Sequence, residues 1–316
     1  MDRGIRATLA APDGSLVGLA AADYYGARNV MIGGTPIDAP SFVRVSSRGE
    51  IVTTVPISMI AETNYLIGLT SDGAPVISTG AHNSLTSWVA AFDTAFTPKW
   101  VVKSDTNGLR NIDLSVGGGD VGPDGTTVVL ASLEREPETN AVRYLSSAGA
   151  VQWRVPVADQ YFGGFWLSES GDVVLCETSS RRRYSPAGGL IDTTPSRCLF
   201  AKGGNRWSVR LSDGGAIYAD STGLVRIDDA GVVWRHSLKS SAEALVMSGS
   251  GDLLAITAEA SQVTRFDGAT GQLTASQDNT NAGFFEDRET RSTIVWADAE
   301  GYVLLQPSGL ARYSGP

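Results

Sequence analysis

One short pattern recurs along the chain and limits the folds it can adopt. An alternating run of residues is followed by a tight turn that contains Asp-Gly or Gly-Asp, and then by a run rich in β-branched residues. Two such runs on either side of a tight turn are typical of a β-hairpin. The pattern occurs at residues 11–20, 70–79, 122–131, 168–177, 211–220 and 248–257.

A second hairpin pattern follows each copy of the first, and it often contains tryptophan. It occurs at residues 44–55, 91–102, 144–155, 184–193, 226–237 and 265–276. The C-terminal segment ADAEGYVLLQPSG (297–309) matches ADSTGLVRIDDAG (219–231), which gives a seventh unit whose first turn has diverged to DRETRS (287–292). The second turns fall near residues 49, 98, 149, 189, 231, 271 and 309. A period of roughly 40–50 residues is that of propeller blades.

Each unit contains four short strands, which in the fifth unit read WSVRLSD, AIYAD, GLVRID and VVWRHSL. No long segment carries apolar residues at helical spacing, so we expect few or no helices. The sequence predicts an all-β protein, a seven-bladed β-propeller of four-stranded antiparallel blades that forms a single domain over residues 1–316. The blades are expected at approximately 1–60, 61–105, 106–158, 159–197, 198–240, 241–280 and 281–316.

The full repeat, with D-x-x-G-x-x-x-W between its last two strands, resembles the quinoprotein-like (PQQ-like) and WD40-like repeat propellers. The best matches are FDTAFTPKW, LSSAGAVQW, IDDAGVVW and FDGATGQL. The resemblance implies the propeller fold over the whole chain. Quinone-dependent members of that group carry an adjacent cysteine pair and a calcium-binding acidic cluster over the central channel. Cys176 and Cys198 are not adjacent, so we expect no quinone and no other cofactor.

Composition excludes several classes of function. Lys and Arg number 25 against 34 Asp and Glu, a net charge of -9, which argues against nucleic-acid binding as the main role. No run of 18 apolar residues predicts a membrane helix, so no membrane insertion is expected. The N-terminus MDRGIRATLAAPDG lacks the apolar core of a signal peptide. We therefore expect a cytoplasmic protein, or a part of an exported or viral assembly.

The connections between strands are predicted to differ between the two faces of a propeller. If each blade runs A, B, C, D from the channel outward, the A–B and C–D turns share one face and are all short. The other face carries long connections, at 23–40, 79–87, 103–119, 133–141 and 193–205. Long loops on a rigid scaffold often carry recognition. Divergence of the loops without selection is the alternative.

Candidate binding residues for a protein or glycan partner come from this loop face. Tyr24 and Tyr25 either stack on a ligand or pack onto the blade. The arginine run is interpreted as part of the B–C link of the fourth blade, where it would bind a carboxylate or phosphate or form a solvated turn. The full set is Tyr24, Tyr25, Arg28, His82, Asn83, Trp88, Asn107, Arg110, Asn111, Tyr161, Arg181, Arg182 and Arg183.

Three tryptophans and two cysteines are interpreted as structural. Trp100, Trp153 and Trp234 recur at one position of strand D and are expected to cover the flanks of their blades. Cys176 lies in an alternating run and should be buried, either as a thiol or in a bridge to Cys198.

The material for catalysis is sparse. The two histidines, His82 and His236, are far apart, and no G-x-S-x-G motif occurs. We expect no catalytic residues, and weak metal candidates only at Asp113, Asp120 and Glu286.

The sequence therefore predicts a non-catalytic binding or structural propeller that recognises a protein or glycan through its long-loop face. It would suit a component of a larger assembly, such as a viral or cell-surface attachment structure. The alternative is a metal-dependent hydrolase or lyase with its site at the mouth of the central channel.

Overall fold

Every assigned element of the described chain is a β-strand. The computed structural model describes residues 5–20, 30–32, 35–37, 41–46, 50–57, 63–80, 88–103, 119–131, 140–157, 162–168, 170–177, 180–195, 208–211, 215–220, 223–228, 231–238, 242–248, 250–257, 262–278, 293–297, 301–306 and 309–314. In these residues there is no helix with the length and apolar character needed to span a membrane.

The strands fall into two compact units, Ile5–Lys202 and Gly203–Pro316, the second of which also includes Met1–Gly4. Those of the first unit are β1 (Ile5–Ala10), β2 (Leu16–Ala20), β3 (Val30–Ile32), β4 (Thr35–Ile37), β5 (Ser41–Val45), β6 (Ile51–Pro56), β7 (Thr63–Leu69), β8 (Pro75–Gly80), β9 (Trp88–Phe92), β10 (Pro98–Lys103), β11 (Gly119–Val121), β12 (Thr127–Ala131), β13 (Asn140–Leu145), β14 (Val151–Val157), β15 (Phe162–Leu167), β16 (Val173–Glu177), β17 (Ser180–Tyr184) and β18 (Leu190–Pro195).

The second unit continues the same order of short strands. They are β19 (Ser208–Arg210), β20 (Ala216–Asp220), β21 (Gly223–Asp228), β22 (Gly231–Ser237), β23 (Ala242–Met247), β24 (Asp252–Thr257), β25 (Gln262–Asp267), β26 (Leu273–Asp278), β27 (Thr293–Ala297), β28 (Gly301–Gln306) and β29 (Gly309–Ser314).

Consecutive strands pair antiparallel into sheets of four, which we number as blades 1 to 6 and whose strands we letter A to D in chain order. Blade 1 is β1-β2-β5-β6, blades 2 to 4 are β7–β10, β11–β14 and β15–β18, and blades 5 and 6 are β19–β22 and β23–β26. The A strands of neighbouring blades lie side by side within each unit: β1, β7, β11 and β15 in the first, β19 and β23 in the second. This is the arrangement of propeller blades.

The prediction of seven four-stranded blades is wrong. The described residues form six four-stranded blades, and the strands after them form a three-stranded sheet, β27-β28-β29. The seventh blade was inferred from the match of 297–309 to 219–231. That match begins at the end of a B strand, so it gives no evidence for the A strand that a four-stranded blade needs. The segment DRETRS (287–292), which was taken as the diverged first turn, lies outside the described residues.

Apolar side chains from both faces of each sheet fill the space between neighbouring blades. In blade 3, Val128 and Leu130 belong to the cluster shared with blade 4, whereas the intervening Val129 belongs to the cluster shared with blade 2. All three are at most 1% exposed. Burying a side chain of this kind contributes about 1.5–3 kcal/mol, so the period-2 pattern of the sequence produces an interior on both faces of the sheet.

Most of the described A–B and C–D turns share one hydrogen-bonding pattern. In the turn 146–150, the Ser146 N–H donates to the Ala150 carbonyl (2.9 Å) and the Gly149 N–H donates to the Ser146 carbonyl (2.8 Å). Gly149 has φ 81°, a left-handed conformation that favours glycine. The turns 11–15, 70–74, 93–97, 122–126, 168–172 and 185–189 repeat both bonds.

Three junctions between consecutive blades are closed by Trp100, Trp153 and Trp234. The sequence predicted a structural role for them on the flanks of their own blades, and the structure shows that each also contacts the next blade. Each indole of strand D lies against the turn glycine of the next blade, so that a Cβ added to Gly149, Gly188 or Gly271 would lie 2.6–2.8 Å from it. Each Nε1–H also donates to a carbonyl of that turn. The acceptors are Ser147 for Trp100 (2.8 Å), Pro186 for Trp153 (2.8 Å) and Gly268 for Trp234 (3.3 Å).

The junction between blades 1 and 2 is built the opposite way. Thr53 pairs with Arg44 as Trp153 pairs with Tyr144, so a threonine holds the tryptophan position of blade 1. In the turn of blade 2, Phe96 holds the glycine position with φ 65°. Its ring is 3% exposed and stacks on Phe42 of blade 1 at 4.8 Å. The aromatic ring at this junction therefore comes from the turn instead of strand D.

Candidate recognition site

The strand boundaries place the long connections at one end of the sheets, which we call the long-connection end. B–C and D–A connections leave from this end, whereas A–B and C–D turns lie at the short-turn end. The longest connections are 21–40, 104–118, 196–207 and 279–292. The A–B and C–D turns of blades 1 to 4 each have the same short length as the turn formed by residues 11 to 15.

Most of the predicted binding residues belong to these connections and lie outside the described residues. They are Tyr24, Tyr25, Arg28, His82, Asn83, Asn107, Arg110, Asn111 and Tyr161, together with the metal candidates Asp113 and Glu286. Within the connection 21–40, β3 and β4 pair as a separate two-stranded hairpin, with Val30 opposite Ile37 and Ile32 opposite Thr35.

Trp88 is the predicted binding residue placed at the start of a strand. It begins β9 at the long-connection end, opposite Thr79 of β8 and Lys103 of β10. Its side chain is partly buried. An indole in this position combines an apolar surface with a polar N–H, as is common in contact surfaces.

The three consecutive arginines lie in a strand, so their assignment to the B–C link of blade 4 is wrong. Ser180–Tyr184 forms β17, which pairs with β16 on one side and β18 on the other. The link itself is reduced to residues 178–179. Three identical side chains conceal the alternation that normally reveals a strand, because both faces then have the same polarity.

Arg182 forms a partly buried group with Glu177, Ser180 and Tyr184. Its Nη2 lies 2.5 Å from Glu177 Oε1, and its Nη1 donates to the Tyr184 hydroxyl at 2.9 Å. The Ser180 hydroxyl donates to the other Glu177 oxygen at 3.2 Å. The guanidinium is thus held by groups of its own blade near the long-connection end.

Arg183 and Arg181 lie on the opposite face of β17 from Arg182. Arg183 Nε lies 3.2 Å from Asp172 Oδ2 and 3.9 Å from Asp192 Oδ2. Arg181 is 5% exposed. With two carboxylates beside Arg183, the charge of that side chain is balanced inside blade 4.

Asp120, a metal candidate, accepts backbone hydrogen bonds with both carboxylate oxygens. Oδ1 accepts from the Val121 N–H at 2.8 Å, and Oδ2 accepts from the Leu167 N–H of blade 4 at 2.6 Å. The residue is 6% exposed, so a structural link between two A strands explains its position. The described part of the chain contains no group of three or more His, Cys, Asp or Glu side chains suited to a metal ion.

At the short-turn end, carboxylates and hydroxyls of the described turns form hydrogen bonds with each other. Asp13 Oδ1 accepts from both the Ser15 N–H (3.0 Å) and the Ser15 hydroxyl (2.6 Å), and Oδ2 lies 3.3 Å from Arg44. The hydrogen bonds from Ser15 lower the pKa of Asp13 below its usual value. In blade 4 the order is reversed, because the Ser170 hydroxyl donates to Asp172 at 2.9 Å.

Neighbouring blades are also hydrogen-bonded to each other at this end. The Ser71 N–H and hydroxyl of blade 2 both donate to the Pro123 carbonyl of blade 3, at 3.0 and 2.8 Å. Arg44 donates to the Gly73 carbonyl of blade 2 at 3.4 Å, and Arg226 donates to the Ala269 carbonyl of blade 6 at 2.8 Å.

The arginines of this end were not predicted as a set. One position of strand C is an arginine in four blades, and it lies opposite the strand-D position that holds tryptophan in blades 2, 3 and 5. These arginines are Arg44, Arg183, Arg226 and Arg265. Their recurrence before the second turn was a signal in the repeat that the sequence analysis left unused.

The sequence matches no family model and none of the curated proteins. Among solved structures, a catalytically inactive variant of virginiamycin B lyase from Staphylococcus aureus, crystallised with quinupristin, is similar over 98% of this chain and 94% of that one, with a TM-score of 0.61 and 13% identity. A protein of unknown function from Bacteroides caccae covers 76% of this chain and 90% of its own, with a TM-score of 0.45 and 14% identity. Virginiamycin B lyase is a β-propeller with a PQQ-like fold. The likeness shows that this chain has the β-propeller fold.

Proposed function

We propose that the protein is a recognition propeller that binds a protein or glycan partner through its long-connection end. The observation that carries the proposal is the difference between the two ends of the blades. At the described short-turn end, carboxylates, hydroxyls and guanidinium groups already bind one another or the next blade. A surface whose polar groups have internal partners offers few of them to a ligand.

The long-connection end offers the residue types that contact surfaces use. Tyrosine, tryptophan, arginine and asparagine supply rigid apolar area and adaptable hydrogen bonds. The candidates are Tyr24, Tyr25, Arg28, His82, Asn83, Trp88, Asn107, Arg110, Asn111 and Tyr161. Arg181, Arg182 and Arg183 are not part of the proposed binding surface. Arg182 and Arg183 form ion pairs within blade 4, and Arg181 is buried.

A glycan array and chemical crosslinking in an extract of the source organism test the proposal. The variant replaces residues 23–40 by a short glycine-containing turn. We expect its affinity for any glycan or protein partner that the wild type binds to be at least tenfold lower. The matched control changes the exposed Ala148 and Ala187 of the short-turn end to Glu and should bind like the wild type. Equal binding by the deletion variant, together with loss of binding by the control, would reverse the assignment of the two ends.

Catalysis at the mouth of the channel, by a metal-dependent hydrolase or lyase, is the competing function. Elemental analysis of the purified protein, and mass spectrometry of quinupristin after incubation with the protein and added Ca²⁺ or Zn²⁺, address it directly. We expect no stoichiometric metal and no conversion. A stoichiometric metal that is lost on mutation of Asp113 or Glu286, or conversion of the compound, would replace recognition by catalysis.

A further inference from the structure

Two arginine side chains face each other across strands C and D of blade 3. Arg143 of β13 lies directly opposite Arg154 of β14, and cross-strand neighbours of this kind share one face of the sheet, with Cβ atoms about 5 Å apart. Arg143 is 3% exposed, whereas Arg154 is exposed. The ion pairs found among the described residues do not include Arg154.

Blade 4 has an arginine at the same interior position and supplies a carboxylate for it. Arg182 corresponds to Arg143, because each pairs with the strand-D residue that follows the tryptophan position. The guanidinium of Arg182 forms an ion pair with Glu177, the last residue of β16. The strand-D residue opposite Arg182 is Thr193, which carries no charge.

Blade 3 differs from blade 4 at both of these neighbouring positions. Ala131, the last residue of β12, corresponds to Glu177, and Arg154 takes the place of Thr193. The strands of blade 3 thus supply a second cation where those of blade 4 supply a carboxylate. Burial and the charge of Arg154 hold the pKa of Arg143 below its usual value. The surroundings of Arg143 therefore disfavour its charged form.

We propose that Arg143 and Arg154 bind a small oxyanion, a phosphate or a carboxylate group, on the face of blade 3 that is turned to blade 2. Val129, which lies opposite Arg143, belongs to the apolar cluster shared with blade 2 and so identifies this face. The bound group replaces the carboxylate that Glu177 supplies in blade 4. This inference is independent of the proposed function, because it concerns one blade junction and not the long-connection end.

The chemistry of guanidinium groups favours such a ligand. Like charges that lie directly opposite each other in a sheet destabilise it. An oxyanion between them accepts charge-assisted hydrogen bonds from both, and the planar guanidinium matches phosphate and carboxylate groups equally well. Arg154 gives the ligand access from solvent, and the buried Arg143 adds a charge that water and salt screen only weakly.

Thermal unfolding in phosphate, compared with chloride at equal ionic strength and pH, tests the site. A ligand that binds only the folded protein raises its stability, so we expect the wild-type Tm to rise by about 2–4 °C when phosphate exceeds its Kd tenfold. Arg154→Thr gives blade 3 the uncharged residue of blade 4 and should lose this rise. The matched control is Arg235→Thr in blade 5. Arg235 is exposed at the same strand-D position but lies opposite Val225, so this variant should respond like the wild type.

The control also separates specific binding from the general effect of phosphate. Phosphate is excluded from protein surfaces and stabilises folded proteins without a site, and this part of the rise should be the same in every variant. A wild-type rise no larger than that of Arg154→Thr would overturn the proposal, and so would an equal loss in Arg235→Thr. Parallel titrations with succinate distinguish the two kinds of ligand, since the anion with the larger site-dependent rise identifies the group that binds.

A carboxylate at position 131 recreates the arrangement of blade 4. Ala131→Glu should raise the Tm in chloride and weaken phosphate binding at least tenfold in isothermal titration calorimetry, because an internal anion then occupies the site. An Ala131→Glu protein that binds phosphate like the wild type would contradict the proposal. If this variant does not fold, the comparison of Arg154→Thr with Arg235→Thr decides the question, since both changes affect exposed side chains.

Discussion

Two junctions in the molecule fill the space between strand D and the next turn with an aromatic ring, but the ring comes from different blades. They are the junction between blades 1 and 2 and the junction between blades 3 and 4. Between blades 3 and 4, Trp153 of strand D covers Gly188 in the next turn. Between blades 1 and 2, Thr53 holds the tryptophan position and Phe96 holds the glycine position. The backbone of the turn is the same, whereas the residue that supplies the ring changes. The fold therefore requires a filled space at the junction and does not specify which blade fills it.

The two solutions differ in their cost to the backbone. Glycine adopts a positive φ without strain, whereas a bulky residue in that conformation costs about 1–3 kcal/mol. Phe96 offsets this cost through its buried ring, its stacking on Phe42 at 4.8 Å and the Arg44 guanidinium 5.6 Å from its centroid. A strained residue is retained here because the ring it carries has no substitute at position 53.

Removing a junction tryptophan should have the largest effect on the free energy of unfolding. Trp153→Ala deletes a ring that stacks on Tyr144 at 5.0 Å and the hydrogen bond to Pro186, so we expect the free energy of unfolding to fall by about 3 kcal/mol. Urea denaturation measures the loss. Trp153→Phe keeps most of the ring contact and loses the N–H, and it should cost about 1 kcal/mol. Equal losses for both variants would show that the hydrogen bond, not the ring, closes the junction.

Moving the aromatic ring of the junction between blades 1 and 2 from the turn to strand D should have an intermediate effect on the free energy of unfolding. Phe96→Gly removes a buried ring worth about 3–5 kcal/mol and relieves the strain at positive φ, so we expect a net loss of about 2 kcal/mol in urea denaturation. The double variant Thr53→Trp/Phe96→Gly recreates the arrangement of blades 3 and 4 and should recover at least half of that loss. A double variant no more stable than the single one would mean that the junctions are not interchangeable.

The smallest effect on the free energy of unfolding is expected from alanine substitution of two turn glycines, one that contacts a tryptophan ring and one that does not. Gly149 and Gly14 have φ 81° and 78°, so alanine at either position carries a similar backbone strain. A Cβ on Gly149 would lie 2.7 Å from the Trp100 ring, whereas a Cβ on Gly14 meets nothing within 4 Å. Gly149→Ala should therefore destabilise the protein by about 1 kcal/mol more than Gly14→Ala. If thermal and urea denaturation give the same loss for both variants, the indole is not in firm contact with the turn.

Period and turn chemistry predicted most of the blades, and the failures come from particular residues. Alternation in DVVLCE gave β16, and the recurrence of tryptophan gave the structural role of Trp153. The exchange of Thr53 and Phe96 could not be predicted, because it joins positions of two blades whose contact is known only from the fold. The arginines of β17 were assigned to a loop because identical side chains carry no period. The seventh blade was inferred from the match of 297–309 to 219–231, which contains one complete strand and only the end residues of two others.

The A–B turns of blades 1 and 4 show how such repeats drift apart. Asp13 with Ser15 and Ser170 with Asp172 place a carboxylate and a hydroxyl in the same bond with their order exchanged. A position-by-position alignment scores two mismatches where the chemistry is unchanged. The two turns are therefore chemically closer than their letters indicate, and a repeat search that treats such an Asp–Ser pair as one unit should align them.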